Sequence, residues 1–379
     1  MQQKLINLDN VPTSSSQSPQ ILVDYANRQR STYESTADAS RDRDRDERIM
    51  RMLGDMMLAE EWAEYHFLPS LAVGHVDITV LSHGAGSQTS ALAALAAVNG
   101  FSESAPGEPG HIDIDVAMFA NVGDQGRPNE WPETIEYLWN LDRITYLPIV
   151  RVDPYVWNRT LEIQNDTRGL FDRYFDRETM PFRSFRGCTD MFKIIPQESF
   201  ISWLIDEAGR RGTHLTIRQV IGYSVDEESR AEKFHASHPN VRPYFPLIEW
   251  GWRRNDTVRK LKELAPDVIN TIGPPEKSGC WFCPFQALGD YLPNGRARPR
   301  SWVALRDMHP DLMDYAHAME ARQNARRLTE GKKEAFLAGD KPLSSLLASR
   351  SHTPVSQSAL AGFDDAAGDD TCTSWGCFR

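Results

Sequence analysis

The chain has 379 residues, of which 40% are hydrophobic and 25% charged. Wholesale disorder is excluded, and two or three domains, or one large domain with extensions, are expected at roughly 100–200 residues each. Lys+Arg total 42 against 53 Asp+Glu, a net charge of −11, so bulk charge excludes a general binder of nucleic acid or anionic membrane and leaves open only a local basic cleft.

No apolar run approaches the roughly 20 residues of a membrane span. The opening MQQKLINLDNVP lacks the charged start and apolar stretch of a secretory leader. A soluble, cytoplasmic protein without a membrane partner is expected. Five cysteines at unequal spacings do not make a disulfide framework. They read as thiols in a reducing compartment, each structural, metal-binding or catalytic.

Residues 1–48 read as a disordered or weakly ordered extension. It ends in an alternating-sign run, Arg41 to Arg48, expected as the solvated start of a helix. Residues 49–74 read as a docking helix, since Ile49, Met52, Leu53, Met56 and Met57 recur at helical spacing.

From residue 75 the pattern alternates strand and helix. HVDITVLS reads as a strand, GAGSQTS as a glycine-rich loop and ALAALAAV as a helix. DVAMFANVG gives a second strand and PETIEYLWNLD a helix opened by Pro132. ITYLPIVRV, LTIRQVIGYS and RPYFPLIEW supply three more strands, with helices at ESFISWLIDEAG and NDTVRKLKELA. This order predicts an α/β fold with a Rossmann-like parallel sheet over residues 75–275.

The stretch 158–185, charged and aromatic without period, is expected to be a lid or insertion. Residues 276–330 read as a cysteine knuckle followed by helix interrupted near Pro310. Residues 331–379 read as a flexible acidic tail ending in a C-x4-C pair. The tryptophans Trp250, Trp252, Trp281 and Trp302 read as core and edge packing.

The loop Ser82-His83-Gly84-Ala85-Gly86-Ser87-Gln88-Thr89 lies between a predicted strand and helix. Glycines let a ligand approach the backbone, and helix-start amides and hydroxyls donate to phosphate. An ordinary strand-to-helix turn would read the same way. The loop is neither G-x-x-x-x-G-K-[ST] nor G-x-G-x-x-G.

It resembles the PP-loop of the adenine nucleotide alpha hydrolase-like superfamily, in particular phosphoadenylylsulfate (PAPS) reductase-like proteins of phage or actinobacterial type. Their usual motif is S-G-G-x-D-S. Gly84 to Thr89 is the matching stretch, with Gln88 at the usual acidic position and Thr89 keeping a hydroxyl. Four further segments resemble the family in the same order: FANVGDQGRPNEWPETIEYL, RGCTDMFKIIP, IGYSVDEESR and YFPLIEWGWRRNDTVRKL.

The resemblance implies an ATP (or PAPS) site built from Ser82, Gly84, Ala85, Gly86, Ser87, Gln88 and Thr89. Asn121, Val122, Gly123, Arg186 and Thr189 would join them, and Mg²⁺ would accompany the nucleotide. Among the basic candidates Arg183, Arg186, Lys193, Arg230, Arg253 and Arg254, it singles out Lys193 and Arg230. With Gln88 these two are the catalytic candidates, holding phosphates and stabilising charge on the leaving group. Asp226, Glu227 and Glu228 read either as loop ion pairs or as Mg²⁺ ligands replacing the missing loop acid.

Cys280-Trp281-Phe282-Cys283 is a C-x-x-C, a spacing that brings two thiolates to one metal. Zinc and an iron–sulfur cluster are both open. The family resemblance implies a [4Fe–4S] cluster on Cys188, Cys280 and Cys283, with Cys377 or Cys372 as a fourth ligand. It implies an enzyme that cleaves ATP between the α- and β-phosphates, activates a substrate and transfers sulfur. The acceptor would be a nucleic acid, or the partner a sulfur-donor protein; a homodimer is compatible. Two alternatives stand beside it: a PAPS or adenylylsulfate reductase with a thiol donor, and a non-enzymatic nucleotide- or metal-binding protein. The ending W-G-C-F-R does not match the reductases' E-C-G-x-H. His83 reads as a minor option for a phosphate donor.

Overall fold

The computed structural model describes residues 42–98, 108–123, 128–145, 147–163, 168–183, 187–264, 279–289, 297 and 301–348. The extension up to residue 41, Arg186, Cys372 and Cys377 lie outside them.

Five strands form one all-parallel sheet: β1 Gly74–Ser82, β2 Val116–Ala120, β3 Ile149–Val152, β4 Thr213–Ile221 and β5 Val241–Tyr244. Their spatial order is β3-β2-β1-β4-β5. Chain order reverses between β1 and β4, as in a Rossmann-like sheet, and ligands of open α/β sheets bind outside the carboxyl ends of strands at such a switch point. The long β1–β4 ladder pairs Gly74 with Thr213 through to Ser82 with Ile221. The residues after both strands therefore emerge side by side.

Alternation in the strands feeds two cores. Ile78, Val80, Val116, Met118, Val150 and Val152 face one side, against helix residues Phe200, Ile201 and Leu204. Leu81, Ala117, Phe119 and Ile149 face the other, against Leu92, Ile135 and Leu138. The helices concerned are α1 Asp42–Asp55, α2 Ser87–Val98, α3 Pro132–Thr145, α4 Ile195–Arg210 and α5 Arg254–Leu264. Burial on both faces explains why β2, VAMFA, has no polar side.

Two expected strands are shorter. In ITYLPIVRV, α3 continues to Thr145 and the strand starts at Ile149, whose N–H is held by Asp142 at 3.0 Å. In RPYFPLIEW, the strand stops at Tyr244 and Pro246 opens a helical turn to Glu249. Pro243 is tolerated because β5 is an edge strand.

A third core sits apart from the sheet faces. Helices α6 Trp302–Met308, α7 Pro310–Thr329 and α8 Leu343–Ala348 pack with Trp131, Phe171, Phe192, Trp281 and Phe282. Here three expectations are corrected. Residues 168–176 are no lid: Phe171 packs on Trp281 and Phe282 at centroid distances of 4.9 and 5.4 Å. Residues 331–348 are not loose, because Leu337, Leu343 and Leu347 are buried and Glu320 accepts from the Leu337 and Leu343 N–H groups.

The third correction concerns the charged run. The helix already begins at Asp42, and Arg45 is only 6% exposed. Its guanidinium bridges to Asp311 at 2.8 and 3.0 Å, while Arg48 reaches Glu136 at 2.5 Å. Arg45 and Arg48 thus reach other helices, whereas Asp44 and Glu47 stay exposed, as expected of a solvated start. Trp281 and Trp302 are fully buried, and Trp250 and Trp252 pack edge-on to each other at 5.2 Å, as expected of packing residues. No helix among the described residues is long and apolar enough to cross a membrane.

Candidate functional site

The loop expected to hold phosphate joins β1 to α2 at the switch point. Its residues are largely buried: Ser82, His83, Ala85, Ser87, Gln88, Thr89 and Ser90 all belong to the interior. Ala85 adopts φ 57, a left-handed conformation that an L residue rarely takes. The Ala85 N–H donates to His83 Nδ1 at 3.0 Å, and the Gly84 N–H to Thr89 Oγ1 at 3.3 Å. Gln219 on β4 donates to Ser82 Oγ at 3.0 Å, fixing the loop's origin to the neighbouring strand.

The first intrahelical bond runs from Ser90 N–H to Gly86 O at 3.0 Å. The N–H groups of Gly86, Ser87, Gln88 and Thr89 have no acceptor among the described residues. These are the free donors of a helix start, carrying the positive end of the helix dipole. Gly222, just after β4, is what lets the two strand ends approach. A Cβ there would meet Thr89 Cγ2 at 2.7 Å.

The segment after β4 supplies the charged wall. Gln88 donates to Ser224 Oγ at 3.0 Å and to Glu227 Oε2 at 2.6 Å, and accepts from Arg254 at 3.4 Å. Glu227 also pairs with Arg230, whose guanidinium lies 5.2 Å from the Tyr223 ring centroid. Arg230 Nη2 is buried without a partner among the described residues. Asp226 pairs with Arg253 at 3.3 Å and accepts the Arg254 N–H at 3.0 Å. Of the two readings for these acids, Asp226 and Glu227 take the ion-paired one. Gln88, Arg230 and Arg254 are thus brought together around Glu227, whereas Lys193, the third catalytic candidate, is not among them.

At the end of β2, Asn121 donates to Asp153 at 3.0 Å, and its Oδ1 is buried without a partner among the described residues. Val122 is buried in the third core. Gly123 has φ 78, and the Tyr155 hydroxyl fills the space where a Cβ would stand, so only glycine serves there. Asn129 braces this turn, donating to Gly123 O and accepting the Phe171 N–H at 2.6 Å.

Lys193 lies in a second grouping. It pairs with Glu130 at 2.7 Å; Glu130 is buried and the Lys193 side chain is 12% exposed. Around the pair stand Cys188, Cys280 and Cys283, close enough to perturb one another and Lys193. Burial pushes all three thiols up, Cys283 to about 11. Burial also works against the Lys193 charge, but Glu130, with the cysteines, outweighs it and holds Lys193 above its ordinary value. Tyr174 bonds Cys188, and burial followed by the cysteines raises its pKa. Thr189, next to Cys188, is buried. Arg183 is tied to the knuckle through Pro284 O at 2.9 Å.

The three thiols share one neighbourhood. Even so, no group of three or more His, Cys, Asp or Glu side chains among the described residues is arranged to hold a metal ion. The site residues that sequence reading missed are Glu130 and Tyr174. Neither belongs to a motif, and their partners lie 63 and 14 positions away, so no local pattern signals them. Comparison of the chain with protein-family models, with curated proteins and with solved structures finds no match.

Proposed function

We propose that the chain is an adenine-nucleotide enzyme of the PP-loop, PAPS reductase-like kind. It would bind ATP at the β1–α2 loop and cleave it between the α- and β-phosphates to activate a substrate. One observation carries the reading. At the switch point of a parallel sheet, four consecutive helix-start N–H groups, Gly86 to Thr89, lack an acceptor among the described residues, behind a loop with a left-handed residue. Ala85, the left-handed residue, stands where the resembled motif carries glycine. The backbone conformation thus accounts for glycine in the motif.

The residues divide the work. The N–H groups of Gly86 to Thr89 take phosphate oxygens. Arg254, tied to Gln88, and Arg230, tied to Glu227, place positive charge beside them without adding a mobile side chain. Arg230 keeps one N–H group in hand for an oxyanion. Mg²⁺ would enter with the nucleotide, held mainly by its phosphates. Sulfur transfer, with Cys188, Cys280 and Cys283 as thiolates of an iron–sulfur cluster or a zinc site, is the family-derived part of the proposal. It is supported by their shared surroundings alone.

The test is the product of turnover. With α-³²P- and γ-³²P-labelled ATP, the expected products are labelled AMP or adenylate and labelled pyrophosphate. Labelled inorganic phosphate in place of pyrophosphate would reject the bond assignment. Absence of nucleotide binding would reject the site.

A further inference from the structure

His83 is 1% exposed. Its Nδ1 accepts the Ala85 N–H at 3.0 Å. A neutral imidazole that accepts at Nδ1 carries its proton at Nε2. That Nε2 is buried and has no hydrogen-bond partner among the described residues. The ring is kept neutral because burial lowers its pKa from 6.5 to about 3.

These facts define two jobs for one ring. Ala85 holds φ 57, which an L residue sustains only where surrounding contacts enforce it. His83 Nδ1 supplies the contact, replacing what a glycine would do by conformational freedom. The same bond selects the tautomer, so the far nitrogen is always a donor. A buried donor without an acceptor is costly and rare. Its neighbours in the chain are the loop and helix start whose N–H groups also lack acceptors. Five donors, one from a side chain and four from main chain, thus await acceptors in one short segment.

We propose that His83 is a positioning residue of this loop, a neutral imidazole of fixed tautomer. Its Nδ1 holds the left-handed turn at Ala85, and its Nε2–H donates to an unprotonated oxygen of the bound phosphate group. The inference rests on the phosphate-binding role of the loop. It adds that the ligand must present an oxygen acceptor to a donor that carries no charge. Affinity should then be insensitive to titration of His83 near neutral pH, unlike a site built on an imidazolium.

The experiment compares wild type, H83N and H83Q, with ATP and inorganic pyrophosphate as probes, each with Mg²⁺, by titration calorimetry. Asn accepts from the N–H two residues on, as in an Asx turn, so H83N keeps the brace at Ala85 but lacks the far donor. Gln reaches further and carries an amide donor. H83N is expected to bind both probes roughly tenfold more weakly, the worth of one hydrogen bond, and H83Q to recover part of the loss. Equal binding by wild type and H83N would overturn the role of His83 and leave the loop's role standing. A wild type that takes up neither probe would overturn both. Should H83N fail to fold, imidazole ¹⁵N spectra of the wild type decide. An Nε2–H tautomer whose proton shifts on adding pyrophosphate is expected. An Nδ1–H tautomer, or an unmoved resonance, would overturn the proposal.

Discussion

Gln88, on the first turn of α2, donates to the buried carboxylate of Glu227 at 2.6 Å across the β1–β4 switch point. The uncharged amide is what makes this contact possible. A carboxylate at position 88 would face Glu227 with like charge in a dry setting, relieved only in part by Arg254. Q88E is therefore expected to lose about 1–3 kcal/mol of stability at neutral pH. The two carboxyl groups would then share a raised pKa, so the folded state gains protons over the unfolded one, and the deficit shrinks as pH falls through the carboxylate range. Urea denaturation of wild type and Q88E at several pH values measures this. A deficit that grows on acidification would contradict it.

The buried His83 makes a separate acid-stability prediction. Its folded pKa is depressed from 6.5 to about 3 by burial. Below 6.5 the unfolded chain binds a proton that the folded chain refuses. Stability from this group is complete above pH 6.5 and drains as pH falls toward 3. At pH 5 the 1.5-unit gap amounts to roughly 2 kcal/mol. Because other groups titrate in the same range, the readout is the difference between wild type and H83Q. That difference should move against the wild type as pH falls from 7 to 5, and a constant difference would show that the ring is not buried neutral.

Lys193 and Glu130 form a largely buried ion pair at 2.7 Å, and Glu130 Oε2 has no further partner among the described residues. Removing one member strands the other's charge. E130Q or K193M is expected to cost roughly 3–5 kcal/mol, and the double variant less than the sum of the two. A denaturation cycle over the four proteins checks this. Strict additivity would mean that the pair does not act as a unit.

The parts of this molecule that were legible in sequence are those with a short period. Alternation in 75–82 and the run LTIRQVIGYS, 215–224, announced β1 and β4, although β4 starts at Thr213 and ends at Ile221, and the glycines between β1 and α2 announced the loop. The end of α3 was not legible, since Ile144 and Thr145 look like strand residues and only the Asp142–Ile149 bond places the strand start. The run around Arg45 reads as solvated because it has no apolar stripe. Besides its neighbour Asp46, Arg45 pairs with Asp311, which lies 266 positions away. Glu130 escaped for the same reason. Leu337, Leu343 and Leu347 are too sparse within a polar segment to show a period, yet Glu320 anchors their backbone and the third core buries them. The loop's place between β1 and α2 was readable, whereas the bond from its Ala85 N–H to His83 was not, because the left-handed φ of Ala85 leaves no mark on residue type.

Cys188, Cys280 and Cys283 gather around Lys193 and Glu130 with thiols pushed up by burial. Protonated, they are inert; as metal ligands they would be deprotonated. Anaerobic purification with iron and acid-labile sulfide analysis separates the cases. The proposed cluster predicts brown protein that C188S, C280S or C283S renders colourless. Colourless wild type with stoichiometric zinc would make the cysteines a structural clip, and metal-free wild type would remove the centre altogether.

The N-terminal helix is held by charge as well as by Ile49 and Leu53. Arg45 forks onto both oxygens of Asp311 and donates to His309 Nδ1 at 3.0 Å, while His309 Nε2 meets Glu133 at 2.7 Å. One guanidinium thus joins α1 to α7 and, through His309, to α3. Burial opposes the Asp311 charge, yet the bonds to Arg45 outweigh it and set its pKa below the usual value. The folded state holds that proton less tightly than the unfolded one. The contribution is therefore present above the ordinary carboxylate pKa and lost as pH falls through the lower folded value. R45M keeps much of the side-chain volume but strands Asp311. It is expected to cost roughly 3 kcal/mol at neutral pH, and less in acid, where Asp311 can take a proton. Limited proteolysis should then cut within 42–55 in R45M before the wild type is touched. Equal resistance of the two proteins would show that the apolar contacts of α1 suffice to hold it.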